Sequence, residues 1–181
     1  MNDKYLFKSQ RLGFRVWQDT DIAKMIKISS DPNVMEFFPA IASAKQTTEF
    51  VGRMKIMFDE KGFCYFPVDE LSSGNFIGFI GLCYQSYKAE FTPCVDIGWR
   101  LSPSYWNKGY ATEGAQACLE YAFNKIGLKN IKAIASKINV KSIKVMEKIG
   151  MKKQLEFNHL AVAHDKRLKS CVCYEIANES Y

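Results

Sequence analysis

No apolar run in this 181-residue chain approaches the roughly 20 residues needed to cross a bilayer. The opening stretch MNDKYLFKSQR is polar and lacks the apolar core of a signal peptide, which predicts a cytoplasmic protein that does not engage a membrane. Histidine is scarce, with only His159 and His164, so the six cysteines have too few nitrogen partners for a zinc set and no metal is expected. The closest pair, Cys171 and Cys173, has C-x-C spacing on a strand, and all six read as reduced thiols. The phosphate loop G-x-x-x-x-G-K-[ST] is missing, and so is the dinucleotide fingerprint G-x-G-x-x-G. There is no low-complexity segment, repeat or linker. What remains is 48% hydrophobic and 24% charged, the composition of one globular domain with a real core.

The charge is one-sided. Net charge is +6, yet Lys125–Lys153 carries nine lysines and a single acid, Glu147, so the remainder of the chain is slightly acidic. Such a segment suits an anionic partner or is a solvated face. Aromatic residues are not interleaved with these lysines as stacking on bases would require, so nucleic acid is not the expected partner.

Periodicity predicts alternating elements. RLGFRVW (11–17) alternates as a strand, and Asp19 can cap a short helix to about Ser29, where SSDPN breaks it. Ser43 and Gln46 fit a capping box for a helix to about Glu60. Strands are expected at 62–68 and 76–84, joined through SSGN, and at 94–101, ended by Ser102-Pro103. Apolar positions from Ala111 to Ile126 recur at helical spacing until Gly127. IKAIAS is a strand, Asn139–Ile149 a helix and CVCYEIA a closing strand, which together mean an α+β or α/β sheet domain.

One helix start is odd. In YWNKGYATEG (105–114) the helix begins without an ordinary N-cap, and Gly109 stands at the entrance. A helix N-terminus presents unpaired amides and the positive end of a dipole, and a glycine lets backbone approach an anion closely. Strand, short turn, glycine and helix in that order predict a phosphate cradle.

The surrounding residues resemble a known family. IGWRLSPSYWNKGYATEGAQACLEYAF is similar to the cofactor motif of the GNAT superfamily of acetyl-CoA-dependent N-acetyltransferases, whose Q/R-x-x-G-x-G/A loop here reads Trp106 to Ala111. Trp106 at the Gln/Arg position, and NVKSIKVMEKIGM further on, resemble the ribosomal-protein N-terminal acetyltransferase branch (RimJ/RimL type). The likeness covers about residues 10–176 and implies a single acetyltransferase domain over 1–181. The implied fold is α+β, a mixed central sheet with splayed parallel strands flanked by helices. The resemblance implies acetyl-CoA as co-substrate. Trp99, Arg100 and Leu101 would offer strand backbone to the pantetheine arm, and Asn107, Lys108, Gly109, Tyr110, Ala111 and Thr112 would hold the pyrophosphate. Asn139 matches the family's motif asparagine and equally reads as an N-cap.

Transfer to an amine needs a base, donors for the developing oxyanion and an acid for the departing thiolate. The position where many relatives carry a tyrosine acid is Met146, which has no proton to give, so Ser142, one turn earlier, is the expected donor. Asp96 occupies the place of the branch's strand glutamate and is the expected base, with a shorter reach. An acyl-cysteine route through Cys83 or Cys94 has no neighbouring histidine and is rejected. The expected partner is an amine, a protein N-terminus or a small molecule, contacted by VMEFFPAIAS and YKAEFTP, where Glu36 and Glu90 could attract a cation. The alternative reading is an acyl-CoA sensor without turnover. Oligomeric state is not legible.

Overall fold

The computed structural model describes residues 4–178; the first three residues of the polar N-terminal stretch, and the last three of the chain, lie outside them. Eight strands form one sheet: β1 (Phe7–Lys8), β2 (Leu12–Phe14), β3 (Tyr65–Glu70), β4 (Phe76–Gln85), β5 (Cys94–Leu101), β6 (Asn130–Ser136), β7 (Lys152–Asn158) and β8 (Ser170–Ala177). Four helices flank it: α1 (Thr20–Ser29), α2 (Ala44–Lys61), α3 (Tyr110–Glu120) and α4 (Val140–Lys148). The strand order is β1-β2-β3-β4-β5-β6-β8-β7. Every neighbouring pair is antiparallel except β5 with β6, which α3 connects as a parallel crossover. Among the described residues no helix is long and apolar enough to cross a membrane.

The helices follow their sequence signals closely. The capping box forms as expected: Gln46 N–H donates to Ser43 Oγ, and Ser43 N–H donates to Gln46 Oε1. Asn139 caps α4 by accepting from Ser142 N–H at 3.1 Å. Three expectations are corrected. Asp19 makes no cap; its carboxylate pairs with Lys55, while Asp21 Oδ2 accepts from Gln18 N–H at the same helix start. Gly62 is not the first strand residue but the left-handed terminus of α2 (φ +74°), so β3 starts three residues later. The strand expected at 11–17 shortens to β2 (Leu12–Phe14), beyond which Arg15 bonds Asp21 and Asp69 and Trp17 bonds the Tyr65 carbonyl. Short β1 and the polar β7, with alternate residues exposed, carry too weak an apolar pattern to be foreseen.

Aromatic layers fill both faces. On the α3 face Phe7 stacks between Phe14 and Tyr121, each at 4.4 Å, and Phe66 packs edge-on beside them. On the α2 face Phe50 packs on Trp17, Tyr65 and Phe79, and Trp17 Nε1 donates to the Tyr65 carbonyl at 2.7 Å. All six cysteines are free thiols and five are buried.

A buried charge network locks β2, β3 and α1 together. Arg15 forms fork contacts with both Asp21 (2.7 and 2.9 Å) and Asp69 (2.9 and 2.9 Å), and Lys4 adds a bond to Asp69. Burial alone would raise the Asp69 carboxyl, but hydrogen bonds from Arg15 and Lys4 outweigh it and hold it below the usual range. A depressed carboxyl contributes stability above its unfolded value and loses it as pH falls through the folded one. Arg15→Met is therefore expected to cost about 3–5 kcal/mol by leaving buried Asp21 without a counter-charge and Asp69 with Lys4 alone. In that variant acidification should stabilise rather than weaken the fold, which denaturant titration at two pH values would reveal.

Candidate active site

The parallel pair β5/β6 sets the site. Asp96 and Lys132 are its one register pair; beyond them Ile97–Leu101 keeps β4 as partner and Ala133–Ser136 keeps β8. The two strands therefore part towards their C-terminal ends, and their facing edges are free of ladder bonds. A cleft of about 840 Å³ opens there, walled by Gly98–Leu101 on one side and Ile134–Ser136 on the other. Asp96 stands at the vertex.

At the wide end lies the start of α3. Asn107 (φ +59°) and Gly109 (φ +82°) both adopt the left-handed conformation, turning the chain from β5 into the helix. The first helical bond runs from Glu113 N–H to the Gly109 carbonyl, so the amides of Tyr110, Ala111 and Thr112 precede the ladder, and no side chain caps them. The turn is braced from outside. Trp106 Nε1 donates to the Leu101 carbonyl at 2.8 Å, tying the loop to the end of β5. Arg11 donates from Nη1 to the Lys108 carbonyl, ion-pairs with Glu113 at 2.6 Å and stacks on Tyr110. Arg11 was read from sequence only as part of a strand; its role at this turn depends on a contact across about a hundred residues.

These features suit a polyphosphate ester of an extended amide chain. The free strand edge can pair with amides, and the uncapped helix start can bind phosphate. On α4, Lys141, Lys144 and Lys148 also border the cleft, with Lys141 Nζ 5.2 Å above the Trp106 ring. Elsewhere in the lysine-rich segment Lys132 pairs with Glu175, and Lys137 and Lys153 share Glu156, so only part of that charge faces the cleft. Lys108 does not line the cleft; its Nζ lies over the Tyr105 ring at 5.3 Å. Asn139 reaches the cleft wall with its side-chain oxygen already occupied by the α4 cap, leaving its amide NH₂ for a ligand.

The expected catalytic residues share this cleft. Asp96 is buried; Tyr65 Oη donates to its Oδ1 at 2.6 Å, and Gln85 Nε2 to its Oδ2 at 3.0 Å. Burial is the dominant influence and pushes the carboxyl up to about 6, against the downward pull of those two bonds. Ser142 lies on the opposite wall, held through its backbone by Asn139. Met146 borders the cleft below it and is 2% exposed, a core side chain where relatives place a phenol. Buried Cys83 has its thiol pushed up to about 12 by burial, which leaves no thiolate for an acyl-enzyme route.

Several cleft residues escaped the sequence reading. Tyr65 and Gln85 sit in strands whose alternation looks like ordinary core, and only strand pairing brings them to Asp96. Tyr87 and His159 come from distant loops and stack at 5.0 Å. The Tyr87 hydroxyl is buried without a protein hydrogen-bond partner, and burial together with Asp96 raises its phenol well above the ordinary range. Burial lowers the His159 imidazole. Of the two acceptor segments, Val34, Glu36, Phe38 and Pro39 line the cleft, whereas from YKAEFTP only Tyr87 does and Glu90 does not. Among the described residues no group of three or more His, Cys, Asp or Glu side chains is placed to hold a metal ion.

Known proteins carry the same organisation. Residues 11–152 match the family model described as the acetyltransferase (GNAT) domain. The chain is 36% identical over 147 residues to "Uncharacterized N-acetyltransferase YnaD" of Bacillus subtilis, covering 81% of this chain and 82% of that relative. A GNAT-family acetyltransferase from Bacillus anthracis superposes with a TM-score of 0.78 at 30% identity, covering 95% of this chain and 98% of the other. Spermidine N-acetyltransferase from Vibrio cholerae, solved with CoA and spermine, has the same fold with a TM-score of 0.75 at 18% identity, covering 94% and 98%. The splayed strands and uncapped helix thus have their explanation: the chain belongs to the GNAT family and is an acetyl-CoA-dependent N-acetyltransferase.

Proposed function

We propose that the chain moves the acetyl group directly from acetyl-CoA to a primary amine, with Asp96 as base and hydroxyl groups of the cleft as donors. The observation that carries this reading is the placement of a buried, proton-hungry carboxylate at the vertex of an 840 Å³ cleft whose other end is an uncapped helix start. The free edge of Trp99, Arg100 and Leu101 would pair with the pantetheine arm. The amides following Asn107, Lys108 and Gly109, from Tyr110 to Thr112, would hold the pyrophosphate, with the Asn139 NH₂ alongside.

Asp96 accepts the proton that the ammonium must lose before its nitrogen attacks the thioester carbon. A carboxyl titrating near 6 is ionised at neutral pH yet more basic than a surface aspartate, which suits that task. As the carbon–sulfur bond breaks, charge develops first on the carbonyl oxygen and then on sulfur. Of the hydroxyl residues that line the cleft, Ser142 and Tyr87 are our candidates to donate to it. Tyr87 enters because its hydroxyl is buried and has no protein partner. The ribosomal-protein branch is supported by Trp106 and by the block from Asn139 to Met151, and a protein N-terminus belongs in any acceptor panel beside small amines.

The sensor alternative rested on Met146 and on the short reach of Asp96; the cleft offers other hydroxyls and a base held in place by two hydrogen bonds. Thiol release from acetyl-CoA, followed with and without amines, decides between them: amine-dependent release is expected, and tight CoA binding with no release from any amine would favour the sensor. Gly109→Val should weaken CoA binding about tenfold or more, since it forces a branched side chain into a left-handed backbone against Arg11 at the cradle. Unchanged CoA affinity in a folded variant would remove the phosphate from this helix start.

A further inference from the structure

Arg100 is a half-buried cation with a fully buried Nε, and among the described residues no anion answers it. It lies on the same face of β5 as Asp96 and Gly98, since side chains alternate along a strand. Its guanidinium sits 4.3 Å over the Phe38 ring and 5.4 Å over Phe79. Nη1 donates to Ser29 Oγ at 3.1 Å, and Nε is buried with no hydrogen-bond partner. Among the described residues no carboxylate pairs with it. Arg15, a buried arginine, has two. Burial pulls the Arg100 guanidinium down to about 10, the direction expected when a cation is desolvated without a counter-charge. A buried donor is expensive unless paired, so the missing partner of Nε points to a ligand.

The cofactor's phosphates do not fit this position. They belong at the start of α3, and α3 packs on the sheet face that carries Trp99 and Leu101, where a side chain at position 114 would meet Ile80, the register partner of Trp99. Arg100 points to the opposite face, among Phe38, Phe79 and the end of α1. That face is where the acceptor segment 34–39 closes the cleft. A planar guanidinium with free donors matches a carboxylate in fork geometry, and its aromatic surroundings favour a compact, weakly hydrated anion over a phosphate.

We propose that the acceptor is an amine that also carries a carboxylate, with Arg100 binding the carboxylate and Asp96 receiving the amine. This rests on the transferase reading above. Four residues of strand separate the two groups, roughly 13 Å between their Cα atoms, so an apolar body between amine and carboxylate fits the aromatic wall. A polyamine, cationic throughout, meets repulsion at Arg100. Glu36, the acid that might have drawn such a cation, is exposed at the rim and screened by solvent.

Matched acceptors test the idea: 4-(aminomethyl)benzoate against benzylamine, lysine against cadaverine and 6-aminohexanoate against pentylamine, with spermidine as the polyamine. At least one acid should exceed its decarboxylated partner in kcat/KM by about tenfold or more, the scale of one charge-assisted pair. Arg100→Gln should collapse that ratio towards one, mainly through KM, and Arg100→Lys should restore part of it. A wild-type preference for the decarboxylated amines or spermidine overturns the proposal. So does an equal loss for both members of each pair in Arg100→Gln, which would mean that the arginine only braces Phe38. A binding arm needs no turnover. Calorimetric titration of the CoA-loaded protein with 4-phenylbutyrate should show binding in wild type that Arg100→Gln abolishes. No binding in wild type removes the carboxylate subsite whatever the kinetics show. Binding without thiol release from any amine would keep the subsite and strike the transferase reading instead.

Discussion

Asp96→Asn should lower kcat/KM by about 10²–10⁴-fold, the usual contribution of a positioned base. Asparagine keeps the size of the side chain, and its oxygen can still accept from Tyr65, with the Gln85 amide turned over to meet the new NH₂. What it loses is the ability to take a proton. The pH profile carries the finer test. Since only ionised Asp96 works as a base, wild-type kcat/KM should rise with pH and bend near 6, the value to which burial pushes this carboxyl. The acceptor's own amine adds a second limb, which should move when the acceptor changes while the limb near 6 stays. Stability should move the other way. A carboxyl with a raised folded value is protonated preferentially in the native state, so it stabilises the fold at low pH and that contribution is lost as pH rises through about 6. At pH 8 the variant should therefore be at least as stable as wild type. Loss of activity together with loss of folding would make Asp96 a structural residue held by Tyr65 and Gln85.

The opposite pulls on activity and stability at Asp96 also explain what was legible in the sequence. Helices α2 and α4 announced themselves because their caps are local: Ser43 with Gln46, and Asn139 with the Ser142 amide, each close within three residues. The phosphate end of the site was legible for the same reason, since an uncapped helix behind a glycine is a defect visible in one short stretch. The catalytic end was not. Asp96 could be singled out only through family resemblance, because its raised basicity comes from burial and from partners on β3 and β4 that no spacing rule connects. Arg11 was read only as part of a strand, and Arg100 only as strand backbone for the pantetheine arm. One finds Glu113 across the fold, and the other finds no acid among the described residues, and both facts are properties of the assembled sheet. Strands β1 and β7 escaped because short or half-exposed strands borrow their stability from neighbours rather than from their own pattern.

The donor opposite Asp96 is where two hydroxyls compete. Ser142 stands in the position that a turn of helix relates to Met146, and it lines the cleft from α4. Tyr87 comes from the loop after β4, and its hydroxyl is buried near enough to Asp96 for that carboxylate to raise it. A phenol raised so far stays protonated throughout the working range, so it serves by donating a hydrogen bond to developing charge rather than by surrendering its proton. Removing one such donor typically costs about 10²–10³ in kcat. Tyr87→Phe is therefore expected to lose turnover on that scale with little change in CoA affinity. It should also gain stability, by about 1–3 kcal/mol, because a buried hydroxyl without a protein partner is a cost that phenylalanine removes. A tyrosine with no part in catalysis would show the rise in melting temperature without the fall in kcat. If Ser142 is the donor instead, Ser142→Ala carries the large loss in kcat and Tyr87→Phe stays near wild type. Should both hydroxyls share the charge, each single variant loses part and the double variant loses less than the product of the two, the behaviour of groups acting as a unit. Full activity in the double variant would leave water to protonate the thiolate, which the low basicity of a thiolate permits.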